Sequence, residues 1–251
     1  MSKRQPACRL FSRNENMSRK LLSGVAFAAL ALSSSAFADV VINSTRVIYK
    51  ASDKEVNVRL TNEGKRPLLV QSWLDDGRAS ESPENIDLPF ILTPPVSRID
   101  SKKGQTLRIA QMDANLAKDR ETIYYLNVLE VPPKSKKAEE NTNKLQLAFR
   151  TRIKMFYRPD NLPIKPENAA AKVDWQVENG ELVAKNNSPY YVTFSTVNVN
   201  NNAANSNMVA PFSSEKFTFQ NKSYKPSAGA QLKYSFISDF GNDVEGTAVI
   251  K

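Results

Sequence analysis

The chain has 251 residues, 41% of them apolar, with 35 basic against 26 acidic side chains and a formal charge of +9. That apolar content is too high for a disordered chain, and the length suits one large domain or two smaller ones, each able to bury a core. With no histidine and a single cysteine, Cys8, the sequence excludes imidazole-based nucleophiles, His-zinc sites, thiolate-rich metal centres and any internal disulfide.

In chain order, the first feature is a secretory signal peptide. Ser18-Arg19-Lys20 precedes an apolar run over 21–32, followed by Ser33-Ser34-Ser35-Ala36-Phe37-Ala38. A charged stretch, a short apolar stretch and an Ala-x-Ala site predict cleavage after Ala38. The apolar run is too short to span a bilayer comfortably. A buried core helix is the weaker alternative, because small residues stand where a cap or turn belongs. Met17 sits just before the charged stretch, so residues 1–16 are either an upstream extension or a long n-region. No other stretch approaches membrane-spanning length. Residues 1–38 hold six basic residues, one acidic residue and Cys8, so the remaining 213 residues carry only +4 and no cysteine. Their basic side chains are dispersed, which gives no reason to expect nucleic acid. An exported domain without disulfides must be held by its core alone.

From residue 39 onward, period-two alternation recurs about every ten residues. Val56, Val58 and Leu60 alternate with polar neighbours, and Leu107 and Ile109 flank Arg108. Tyr124, Leu126 and Val128 share one face, and a long run over 144–157 places Leu145, Leu147, Phe149, Thr151 and Ile153 on another. After Pro159 the pattern resumes at Val173/Trp175/Val177, Leu182, 191–199, Phe217/Phe219, 232–237 and 247–250. Turn clusters separate these runs, among them Asn62-Glu63-Gly64, Asp75-Asp76-Gly77, Asn179-Gly180 and Gly241-Asn242-Asp243. No 3.6-residue stripe lasts three turns; residues 112–119 could form one helical turn.

Many short strands with regular turns predict an all-β protein built of antiparallel sandwiches. Pro159, Pro163 and Pro166 interrupt the alternation and predict a stiff linker over 159–166. Two β-sandwiches are therefore expected, over 39–158 and 167–251. One large sandwich, with 159–166 as an inter-sheet crossover, is the alternative.

Catalytic signals are nearly absent. No Ser-x-x-Lys stands in a recognisable context, and the carboxylates form no obvious acid/base pair. Asn43-Ser44-Thr45 and Asn221-Lys222-Ser223 fit the glycosylation triplet, a pattern frequent by chance. The acidic stretch 239–245 lacks calcium-loop spacing and reads as a turn. No cofactor and no metal are expected. The informative run is 145–159, with large apolar side chains at Leu145, Leu147 and Phe149. Pointed into its own core, it is an ordinary strand. At an open sheet edge it offers hydrophobic knobs and free backbone groups that invite a partner strand. Periodicity does not choose between the two.

Several segments resemble the periplasmic chaperones of chaperone/usher pilus assembly, the PapD-like family. They are Thr45-Arg46-Val47-Ile48-Tyr49, Thr93-Pro94-Pro95-Val96-Ser97-Arg98, Asp119-Arg120-Glu121-Thr122-Ile123-Tyr124-Tyr125-Leu126-Asn127, Glu130-Val131-Pro132-Pro133 and Thr151-Arg152-Ile153-Lys154-Met155-Phe156-Tyr157-Arg158-Pro159. Asn187-Ser188-Pro189-Tyr190-Tyr191-Val192-Thr193 and Ile237-Ser238-Asp239-Phe240-Gly241 complete the set, in one order along the chain.

The resemblance implies two immunoglobulin-like domains arranged in an L around a cleft. It also implies a periplasmic, non-enzymatic protein that binds incomplete pilin subunits by donor-strand complementation and delivers them to an outer-membrane usher. Arg46 and Lys154 match the pair that anchors the pilin C-terminal carboxylate. Leu145, Leu147 and Phe149 match the donor-strand knobs, and Glu121, Arg158 and Asp239 match an inter-domain charged triad. The short polar loop over 133–143, with no cysteine pair beside it, resembles the short-loop subgroup that serves rod-like pili. The expected partners are pilin subunits, an usher and, for the free chain, a second copy covering its edge. The alternatives are a fibre subunit or surface adhesin with similar domains and, with no supporting triad, a serine hydrolase.

Overall fold

The computed structural model describes residues 39–112, 115–132 and 147–251. The expected signal peptide with its cleavage site after Ala38, the loop over 133–143 and Leu145 lie outside the described residues. So do Asp113 and Ala114 of the expected helical turn; its described part over 115–119 forms no helix.

The N-terminal half forms nine strands: β1 (Val40–Ile42), β2 (Arg46–Lys50), β3 (Glu55–Asn62), β4 (Leu68–Asp75), β5 (Phe90–Thr93), β6 (Val96–Ile99), β7 (Gly104–Gln111), β8 (Thr122–Val131) and β9 (Phe149–Arg158). Its four-stranded sheet runs β1-β3-β7-β5, and its five-stranded sheet runs β2-β9-β8-β4-β6. The alternating residues face inward as a half-buried strand requires: Val58, Leu60, Leu107 and Ile109 from one sheet meet Val70, Leu126, Val128 and Met155 from the other. Tyr49 bridges the layers and donates its hydroxyl to the Lys54 carbonyl at 3.1 Å.

The C-terminal half has its own core. Strands β10 (Val173–Glu178), β11 (Glu181–Asn186) and β15 (Ser214–Phe217) form one sheet. The other holds β12 (Val192–Val199), β13 (Asn202–Ala204), β14 (Asn207–Val209), β16 (Gln231–Ile237) and β17 (Asp243–Val249). Asn179 and Gly180, with φ of 52° and 79°, join β10 to β11 in the tight hairpin their sequence favours. The architecture is two immunoglobulin-like β-sandwiches, each with its own interior, rather than one continuous layer pair.

Both halves repeat one turn device. The buried Asn62 accepts the Gly64 N–H at 2.9 Å and donates to the carbonyls of Arg66 and Ile99 at 2.8 and 2.9 Å. Asn186 accepts the Ser188 N–H at 2.9 Å and donates to the carbonyls of Tyr190 and Ala210 at 2.7 and 3.0 Å. In each case one side-chain amide satisfies backbone groups that a loop over the core would otherwise leave unpaired.

The Pro-rich segment is not a free spacer. Leu162 and Ile164 pack onto the C-terminal core, and the Ile164 carbonyl accepts the Tyr190 hydroxyl at 2.7 Å. Trp175 centres that core, with the rings of Phe194 and Phe217 edge-on at 5.0 and 5.1 Å. Trp175→Ala removes all of these contacts. It should destabilise the chain by about 3–5 kcal/mol, read as a lowered urea midpoint by circular dichroism.

Candidate functional site

β2 and β9 run parallel, and their register sets Arg46 opposite Lys154. Val47, Tyr49, Met155 and Tyr157 take the core-facing positions of the two strands. Alternation therefore turns Arg46, Lys154 and Phe156 to the outer face, where the C-terminal sandwich meets it. Phe156 packs against Tyr191 with ring centres 5.7 Å apart. Arg46 donates Nη1 to the Ile237 carbonyl at 3.2 Å and lies 5.8 Å from the centre of the Phe156 ring. Its Nε is buried without a partner.

Among the described residues, neither Arg46 nor Lys154 has a carboxylate within ion-pair distance. Burial pushes the Arg46 guanidinium below its ordinary value, while Asp239 and Glu121 pull it partly back. Burial likewise lowers the Lys154 ammonium, and the charge of Arg46 lowers it further. Arg46 lines a partly open pocket of about 160 Å³ with Phe156, Tyr190, Tyr191 and Phe240. Lys154 borders a more open depression of about 390 Å³ with Thr193, Ser195 and Asn207, and Ile237 walls both. Two adjoining, half-buried cations without an anion are electrostatically incomplete.

The core-facing side of β9 changes character along the strand. Leu147, which precedes the strand, is 55% exposed and Phe149 is 50% exposed. Thr151 and Ile153 are half-buried, and Met155 is fully buried. The expected strand over 144–157 thus begins at Phe149 within the described residues. β2 pairs only with residues 154–158 of β9, whereas β8 pairs with residues 149–157. Residues 149–153 are therefore a free edge among the described residues. Both readings of this run hold in part: its C-terminal half is an interior strand, and its N-terminal half projects past its own core.

Glu121, Arg158 and Asp239 come together. Arg158 donates Nε to Glu121 Oε1 at 2.7 Å and both terminal nitrogens to Asp239, Nη1 to Oδ2 at 2.6 Å and Nη2 to Oδ1 at 2.7 Å. The second Glu121 oxygen accepts the Tyr191 N–H at 2.9 Å. Burial lifts the Glu121 carboxyl, against the opposing pull of Arg158. Burial also disfavours the charged Arg158, but its two carboxylates outweigh this and hold it firmly protonated. One guanidinium thus ties the N-terminal sandwich to the 238–242 turn of the other. That turn packs closely: a Cβ on Gly241, whose φ is +84°, would lie 2.2 Å from the Thr45 hydroxyl. Sequence reasoning missed the Ile237 carbonyl and the Tyr191 amide, because backbone groups leave no residue-type signal. Among the described residues, no cluster of His, Cys, Asp or Glu could hold a metal, and no helix is long and apolar enough to cross a membrane.

Among the described residues, then, two sandwiches are joined through a largely buried triad, with a free strand edge beside two cations that have no carboxylate partner. Residues 39–163 match the pili and flagellar-assembly chaperone family, PapD N-terminal domain, and residues 168–248 match the pili assembly chaperone PapD, C-terminal domain. The chain belongs to this family and is a non-enzymatic fimbrial chaperone of the chaperone–usher pathway. It is 46% identical over 230 residues to the probable fimbrial chaperone YadV of Escherichia coli K12, covering 87% of this chain and 93% of that protein. The crystal structure of YadV superposes with a TM-score of 0.73 at 43% identity, covering 84% of this chain and 100% of that one. The SafB chaperone of Salmonella enterica, solved with the SafA pilin, gives a TM-score of 0.73 at 25% identity over 86% and 98% of the two chains. The periplasmic chaperone SfaE gives 0.68 at 29% identity over 84% and 98%.

The pKa of Lys154 lies below its unfolded value, so at neutral pH its charge opposes folding; the cost fades as pH rises through the lowered pKa. Lys154→Met should therefore stabilise the free chain at pH 7 by about 1 kcal/mol, seen as a raised denaturation midpoint. That gain should shrink in alkaline buffer.

Proposed function

We propose that this chaperone captures incomplete pilin subunits in the periplasm by lending them the projecting half of β9, and passes them to an outer-membrane usher. The observation that supports this most directly is the register that sets Arg46 beside Lys154 where the free edge of β9 stops and β2 begins. A subunit strand laid along residues 149–153 extends the line of β2. If its C-terminal carboxylate is to meet Arg46 and Lys154, it must run toward them, parallel to β9. Direction and register then follow from one charge contact.

The energetics agree. Each charge-assisted hydrogen bond to the carboxylate contributes roughly 1.5–3 kcal/mol, and the anion relieves the repulsion between the two cations. Burying Leu147 and Phe149 in a subunit groove adds roughly 1.5–3 kcal/mol apiece before association costs. Leu145 would extend the same alternation. Backbone pairing tolerates varied partner sequences, which suits a chaperone serving several subunits. The triad of Arg158 with Glu121 and Asp239 sets the angle between the sandwiches and hence the shape around Arg46. The same free edge would let two copies cover one another when no subunit is present. Export rests on the signal-like stretch up to Ala38.

Arg46→Ala and Lys154→Ala should each weaken pilin capture at least about a hundredfold while leaving the circular dichroism spectrum unchanged. Periplasmic co-expression and one-to-one complex recovery measure this; wild-type capture by both variants would remove the anchor. Leu147→Glu should impair capture more than Ala148→Glu, since only the former lies on the knob-bearing face. Capture should also weaken as pH rises through the lowered Lys154 pKa, because only the ammonium form binds the carboxylate. In Lys154→Met that pH dependence should disappear.

A further inference from the structure

The outer face of the five-stranded sheet holds a second charged cluster that the anchor does not use. Asp75, at the end of β4, has a fully buried side chain. Arg152 on β9 donates Nε to its Oδ2 at 2.8 Å and Nη2 to its Oδ1. Asn127 on β8 and the Gly77 N–H each donate to the same carboxylate at 2.7 Å. Asn127 in turn accepts Arg150, from Nε at 2.9 Å and Nη2 at 2.7 Å, and Arg150 Nη1 donates to the Ala79 carbonyl at 2.7 Å. The Arg152 guanidinium lies 3.5 Å from the centre of the Tyr125 ring, and that of Arg150 lies 4.9 Å from the Trp73 ring.

Arg150 and Arg152 belong to the free-edge half of β9 and alternate with Phe149, Thr151 and Ile153. Among the described residues that half has one hydrogen-bonded neighbour, and its apolar face lies partly outside its own core. It lacks what usually keeps a strand straight. Both arginines reach across β8 toward β4 and its following turn, so each ties the projecting segment to structure two strands away. The carboxylate they meet is buried and saturated with donors, an arrangement that costs desolvation and specifies geometry more than it adds stability.

We propose that Asp75 is a positioning residue for subunit capture: through Arg152 and Asn127 it holds the projecting half of β9 extended, so that its edge is pre-formed for an incoming strand. The proposal rests on the reading of β9 as the subunit-binding strand. An ordered edge reduces the entropy lost when the partner strand pairs with it.

Hydrogen exchange on the full chain, compared among wild type, Asp75→Asn and Arg152→Ala, tests this. Those amides of residues 149–153 that bond to β8 should exchange about tenfold faster in both variants, while amides of β3 and β7 keep their wild-type rates. A synthetic pilin C-terminal strand peptide, as free acid and as amide, should bind both variants about tenfold more weakly, with the acid-to-amide ratio preserved. Unchanged exchange at 149–153 in both variants overturns the proposal, as does equal acceleration throughout the sandwich. A collapsed acid-to-amide ratio also overturns it, because the cations rather than the strand would then have moved. Should wild type bind neither peptide while the exchange contrast is present, the capture reading fails and the tie on β9 stands.

Discussion

The parallel pairing of β2 with β9 is the constraint on which the rest of the site depends. It covers only residues 154–158 of β9, and it begins with two cations in register. A longer β2 would close the edge and leave an ordinary sandwich; a shorter one would separate Arg46 from Lys154. One termination point in one strand therefore decides both where a partner strand can lie and what stands at its end. The gradient of burial along β9, from exposed Phe149 to fully buried Met155, is the packing counterpart of that termination.

The charges around this point divide into satisfied and unsatisfied sets. Arg158 is saturated by Glu121 and Asp239, and Arg152 by Asp75. Arg46 and Lys154, on the outer face of the same sheet, have no carboxylate within ion-pair distance among the described residues. Desolvated positive charge without compensation is disfavoured. Its persistence beside neatly paired neighbours supports a role completed by a ligand anion. The paired sets do mechanical work instead: one links the two sandwiches, the other spans three strands of one sheet.

Those structural pairs also explain how a protein without disulfides maintains a defined site. The two cores are separate, so the relation between them depends on the contacts where they meet, among them the triad, the Arg46 contact to the Ile237 carbonyl, the Phe156–Tyr191 ring contact, the Glu121 N–H to the Pro189 carbonyl, Arg120 against the Phe212 ring and the close approach of Gly241 to Thr45. Several of these involve residues 237–241 of the C-terminal half. That turn, although part of the second sandwich, helps shape the surroundings of the first sandwich's cations.

The sequence by itself determined the strand-rich architecture and much of the core. Alternating side chains such as Val58 and Leu60 or Leu107 and Ile109 must face one way on a pleated strand, whatever the strand pairs with. Asn179-Gly180 likewise announced its hairpin, because few other residues accept positive φ. Motif resemblance singled out Arg46, Lys154, Glu121, Arg158 and Asp239, but spacing alone could not have joined them. Arg46 and Lys154 are far apart in the chain, and only the parallel register of β2 on β9 makes them neighbours. The tie between Asp75 and Arg152 had no signal at all, since a charged residue on a strand's polar face normally points to water. Whether Leu147 and Phe149 were core or edge was also beyond the sequence. Periodicity reports which side of a strand is apolar, and only the arrangement of the other strands decides whether anything covers it.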